Sequence, residues 1–151
     1  PTANLGLVIA IGLLAIYFGS YHPPSPHERV MASEENHNRV RDFIATSFQK
    51  CAHGSPYIIL KNSWTESRPY SCSMSADEFS QPMSSHFNWE GFRNPYLSID
   101  VRPYAVSSDR SKTPPLGHTH IYSVNNTLRI ITNIGTPNKD NDYLTATVTK
   151  E

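Results

Sequence analysis

The chain has 151 residues, 38% of them hydrophobic, and its 13 Lys plus Arg balance 13 Asp plus Glu, so formal charge is zero with seven neutral histidines. Phosphate binding rests on a basic excess, and no run here marks a nucleic-acid surface. Once the apolar N-terminal run is set aside, the length allows one soluble domain of modest core and leaves no room for a second catalytic domain.

Leu5 to Tyr21 is an uncharged apolar run, and no charged side chain appears before Glu28. A helix rises roughly 1.5 Å per residue, so this run nearly matches the hydrocarbon thickness of a bilayer. A signal peptide would carry a basic n-region and a small-residue cleavage site. Pro1 begins the chain with no basic residue ahead of the run, and Pro23, Pro24 and Pro26 follow it. The expectation is a chain whose leader has already been removed, with residues 1–24 as hydrophobic helix and proline break and residues 25–151 as the globular part. The helix is either a single membrane anchor or a rod that packs against copies of itself.

Ser25, Pro26 and Glu28 then read as an N-cap, a first-turn proline and the third residue of a capping box. The spacing predicts a helix from Ser25 to about Cys51, stopped by Gly54. Val40, Phe43, Ile44, Ser47, Phe48 and Cys51 recur at three and four, giving its second half one apolar face. Its first half, through Glu34, Glu35, Asn36, His37 and Asn38, reads as polar all round.

Residues 53–95 show no sustained period and read as an irregular loop, with a short strand over Tyr57–Leu60. The aromatic block Phe87–Tyr96 is expected to pin that loop to the domain by burial. From Leu97 the period becomes two: Leu97, Ile99 and Val101 alternate with Ser98, Asp100 and Arg102 in a strand ending at Pro103. Thr119–Val124 and Thr127–Thr132 flank Asn125 and Asn126, a pair suited to a two-residue hairpin. That register puts Thr119 opposite Thr132, Ile121 opposite Ile130 and Ser123 opposite Leu128 on the helix side. His118, His120, Tyr122, Arg129 and Asn133 then point outward. A last strand, Tyr143–Thr149, sends Leu144, Ala146 and Val148 inward. The expected fold is α+β, a long helix packed on a small four-stranded antiparallel sheet.

Cys51 and Cys72 are the only cysteines. An even pair in a chain that begins with a membrane helix favours a disulfide clamping the loop to the helix. A zinc or redox pair would need Cys-x-x-Cys or further cysteines. His118 and His120 share a strand face and offer two transition-metal ligands without an evident third. Asn138, Asp140 and Asp142 place oxygens at alternate positions, compatible with calcium but lacking the glycine and glutamate of an EF-hand. Asn125-Asn126-Thr127 is formally a glycosylation sequon. No nucleophile elbow, phosphate loop or zinc-protease motif is present, so neither an enzyme nor a cofactor nor a small-molecule substrate is expected.

The apolar run with its internal Gly12, the break at Pro23 and Pro24, the Ser25–Cys51 helix and the Phe87–Tyr96 block before a sheet together resemble the type IV pilin plan. The likeness is architectural and spans essentially the whole chain. It departs at the start, where members carry Phe or Met first and a glutamate fifth, against Pro1 and Leu5 here. The resemblance implies a subunit held in the inner membrane before assembly and handed by a pilus assembly machinery into an extracellular helical homopolymer. Leu5, Leu7, Val8, Ile9, Ile11, Leu13, Leu14 and Ile16 would form the filament core, with Pro23 and Pro24 as the break. The outer sheet face and the loops 107–117 and 136–142 would form the outer surface. A minor pilin, a secretion pseudopilin, or a monomeric membrane-anchored periplasmic or cell-surface binding protein are the alternatives.

Overall fold

The computed structural model of the protein describes residues 23–97 and 105–151. The expected assembly residues Leu5, Leu7, Val8, Ile9, Ile11, Leu13, Leu14 and Ile16 lie outside them, as does all but Leu97 of the strand expected to end at Pro103.

Helix α1 spans Pro26–Ala52. Its start is fixed by the expected box: Glu28 N–H donates to Ser25 Oγ at 3.2 Å, and the Glu28 carboxylate accepts from Ser25 N–H at 2.6 Å. That second bond, made to the charged form, holds the Glu28 carboxyl below its usual range. The helix stops at His53, after which Gly54 takes φ +93°. Pro23 and Pro24 precede it in exposed, irregular backbone.

The short strand expected over Tyr57–Leu60 is present, but the stretch around it, expected to be an irregular loop, holds a second strand and a helix. Strands β1 (Tyr57–Lys61) and β2 (Ser67–Ser71) pair antiparallel as a separate two-stranded sheet. Helix α2 spans Ala76–Trp89 and opens on a second capping box, Ser75 with Glu78. Phe79, Met83 and Phe87, four apart, line its buried side. Pro82 sits inside it and has no N–H to give the Glu78 carbonyl. The expected disulfide between Cys51 and Cys72 joins the end of α1 to the residue after β2, with Cα atoms 5.5 Å apart.

The main sheet has four strands in sequential order: β3 (Val106–Ser107), β4 (Thr119–Val124), β5 (Thr127–Asn133) and β6 (Tyr143–Thr149). The expected all-antiparallel sheet is corrected at one edge. The two-residue β3 runs parallel to β4, because the chain crosses from one sheet edge through the 108–117 loop to re-enter beside it. The β4–β5 hairpin keeps the expected register, Thr119 to Thr132, Ile121 to Ile130 and Ser123 to Leu128. Its turn residues Asn125 and Asn126 adopt φ +51° and +58°, the left-handed pair such a turn demands.

Helix α1 lies against β5 and β6, and α2 against β3 and β4, on the same face of this sheet. Between them Ile44, Phe79, Met83, Ile121, Leu128 and Ile130 are fully buried. The disulfide end of the core is aromatic: Phe48 meets Phe79 edge-on at 5.6 Å, and Phe43 stacks on His86 at 4.5 Å. The Phe87–Tyr96 block is pinned as expected, with Phe87 and Phe92 buried. Asn94 donates to the Leu116 carbonyl, and the Tyr96 hydroxyl to that of Ile134. Two glycines make this possible. A Cβ at Gly117 would run into the Asn94 side chain, and one at Gly135 into Leu116 and the Tyr96 hydroxyl.

The second face of the sheet is not the open surface expected of it. Loop 108–117 folds back across it, so that His120 Nδ1 lies 3.0 Å from the Ser111 carbonyl and Asn133 donates to that of Pro114. His120, Tyr122 and Asn133 are therefore buried, and only His118 and Arg129 of the expected outward set stay half-exposed.

Candidate functional site

Helix α1 joins the domain to the apolar run, so its two sides decide what the domain can do for that run. The inner side is a continuous stripe: Ser33, His37, Val40, Ile44, Ser47 and Phe48 are all buried. The expectation that the first half is polar all round is thus corrected. Ser33 and His37 extend the same stripe by two turns, and what His37 meets on the sheet is polar as well.

His37 Nδ1 lies 2.9 Å from Thr132 Oγ1, which lies 2.8 Å from Thr119 Oγ1, a buried chain linking α1, β5 and β4. Burial, and to a lesser degree the Arg41 charge, pushes the His37 ring down to about 4, so it is neutral at pH 7. A ring so hard to protonate is poorly suited to take a proton from a nucleophile near neutral pH. Its chemistry is that of a lock: buried polar groups that satisfy each other fix one register of helix on sheet. Ser33 Oγ, one turn earlier, is buried and finds no partner among the described residues.

The outer side of α1 is charged. Glu28, Glu34 and Glu35 stand near Met31, which is 56% exposed, and Arg39 and Asp42 follow further along the helix. Arg41 is paired with its neighbour Asp42 at 2.8 Å, and Arg39 lies over the Phe92 ring at 4.6 Å. Before Met31 the residues from Pro23 to Glu28 are exposed throughout, so the helix leaves the domain at its capped end.

A second exposed apolar area stands on the β1–β2 hairpin. Tyr57, Ile59 and Trp64 are each at least half exposed, and Trp64 meets Trp89 edge-on at 5.5 Å. The strand expected over Tyr57–Leu60 lies here, but its four consecutive apolar residues do not say which of them face outward. Only the folded strand separates them, with Tyr57 and Ile59 exposed and Ile58 and Leu60 buried.

The metal candidates are placed as follows. His118 and His120 share a face, but His120 is bonded under the loop, and burial, then the neighbouring His120, holds His118 below its usual range. Among the described residues no three His, Cys, Asp or Glu side chains gather as a metal would require. Asn138, Asp140 and Asp142 sit in an exposed turn. Its backbone is tied by Asp140 N–H to Thr136 Oγ1 and Asp142 N–H to Asn133 Oδ1. No described helix is long and apolar enough to cross a membrane.

No family model, curated protein or solved structure matches this chain.

Proposed function

We propose that this chain is a structural subunit of a type IV pilus-like extracellular helical filament, polymerising through its apolar N-terminal run. The observation that carries the reading is α1. It is a 27-residue helix that is buried along one stripe, leaves the domain at an exposed capped end, and follows directly on the proline break and the apolar run. A domain clamped to the far end of such a rod leaves the near end available for packing.

The physics of assembly follows from the sequence. An apolar rod is stable in lipid and, once extracted, can be shielded only by other apolar rods. Their mutual burial contributes on the order of 25 cal/mol per Å², and head-to-tail packing that does not close gives a helix. In this scheme Leu5, Leu7, Val8, Ile9, Ile11, Leu13, Leu14 and Ile16 line the filament core, and Pro23 and Pro24 let successive rods slide into register. The inner membrane holds the subunit before assembly. Leu13→Asp is expected to leave a folded domain and abolish polymer in negatively stained, sheared cell-surface material. Ordinary filament yield from that variant would overturn the reading.

A second reading is a monomeric membrane-anchored binding protein, favoured by the exposed Tyr57, Ile59 and Trp64 face. Detergent-soluble monomers with no filaments at the cell surface would select it.

A further inference from the structure

The sheet has two edges, and they are managed differently. β3 offers only two residues at one edge. The separate hairpin carries Pro69, Arg68 and Lys61, which discourage strand addition. β6 has no such protection: it is seven residues long, Tyr-Leu-Thr-Ala-Thr-Val-Thr from Tyr143 to Thr149, with no charge and no proline.

Register shows what this edge presents. Lys150 N–H donates to the Asn126 carbonyl and Ile134 N–H to that of Asp142, each between register partners. Hydrogen-bonded pairs in an antiparallel ladder recur every second residue, so Leu144, Ala146 and Val148 bond inward to β5. The N–H and C=O groups of Tyr143, Thr145, Thr147 and Thr149 point the other way, and none bonds a described residue. Leu144, Ala146 and Val148 are themselves only partly covered by α1.

We infer that β6 pairs antiparallel with β6 of a second copy of this chain, about a two-fold axis at Ala146, making one continuous sheet. That register alone pairs the edge over its full length. Centring on Ala146 sets Tyr143 opposite Thr149 and Thr145 opposite Thr147, and every outward-pointing backbone group on both strands then meets a partner. The result is on the order of eight hydrogen bonds, within the range of a standard protein interface. Side chains agree on both faces. Outside, threonines meet threonine or tyrosine, favourable cross-strand pairs. Inside, Leu144 meets Val148 and Ala146 meets itself, covering the apolar atoms that α1 leaves open.

The contact goes beyond the filament reading and does not rest on it. The two-fold that pairs these edges runs normal to the sheet on which α1 lies, so it reverses the direction of α1 between the two copies; it therefore joins neighbouring filaments or free subunits and not successive subunits of one polar filament.

The test uses the full chain in detergent micelles, followed by sedimentation and by oxidative cross-linking. Ala146→Cys faces its own copy at a non-hydrogen-bonded position, about 4.5 Å between Cα atoms, within disulfide reach. It is expected to give a covalent dimer, whereas Thr149→Cys, facing Tyr143, stays uncrosslinked. Thr145→Lys with Thr147→Lys opposes like charges and is expected to weaken dimerisation about tenfold or more. Thr145→Glu with Thr147→Lys should restore it. Circular dichroism confirms that the exposed-face variants remain folded. A wild-type chain that stays monomeric, a doubly lysine-substituted chain that dimerises as before, or cross-linking at Thr149 in place of Ala146 would each overturn the inference.

Discussion

The two ends of α1 are held to the domain by opposite chemistry. Toward Ala52 the helix sinks Ile44 and Phe48 among Phe79, Met83 and Leu60 and is bonded through Cys51 to Cys72. Toward Pro26 it meets the sheet through His37, which bonds Thr132 and through it Thr119. Apolar burial is strong and indifferent to direction, whereas a chain of hydrogen bonds is weaker and admits one register. The difference teaches that the domain is secured at its far end and oriented at the end nearest the apolar run.

The largest way to break that contrast is at the apolar end. Phe79→Ala empties a fully buried site and should cost about 4 kcal/mol in urea unfolding. The same truncation at Met31, 56% exposed, should change little. Next comes the disulfide. Cys51→Ser with Cys72→Ser opens a loop of 21 residues and should cost about 3 kcal/mol in the chain-entropy picture. Because the His37 lock is distant in the fold from that bond, the loss should add to those made at the polar end.

Acid sharpens the comparison from the other side. The His37 pKa is depressed in the folded state, from 6.5 to about 4. The unfolded chain therefore binds the proton first, and stability is fully present above pH 6.5 and falls as pH drops toward 4. With the ring 3% exposed, relaxation should reduce the effect to about 2 kcal/mol. His37→Gln, which can still bond Thr132, should flatten the pH dependence of the unfolding midpoint. Some slope remains, because burial also lowers His86 and His118. The smallest expected effect is at the cap: Ser25→Ala should cost about 1 kcal/mol, seen as faster hydrogen exchange in the first turn of α1.

Where local chemistry decides, the chain was legible. Ser25 with Glu28 set the start of α1, Asn125 and Asn126 set the hairpin turn, and from that turn the β4–β5 register followed residue by residue. Two features hid α2: Pro82 inside it, and serines at Ser80 and Ser84 where an apolar stripe would be sought. The hydroxyls of Ser80 and Ser84 bond back to the carbonyls of Ala76 and Ser80, so they lie buried without breaking the helix. Ser75 with Glu78 was nonetheless a readable start. The parallel β3 is a tertiary event, set by the loop that covers His120, and no periodicity in two residues can announce it. His37 was misread for a related reason. A histidine among glutamates and asparagines looks solvated until the threonine it meets, far along the chain, is known.

One side chain at the hairpin tip gathers three distant parts of the chain. The Asn126 amide oxygen accepts from Ala76 N–H at the head of α2, while its amide nitrogen donates to the Lys150 carbonyl just past β6. Release of the segment just past β6 and loosening of that helix head should consequently be one event, not two. In exchange experiments the Ala76 and Lys150 amides would then report a shared opening, and Asn126→Gly, which keeps the backbone bend, would uncouple them.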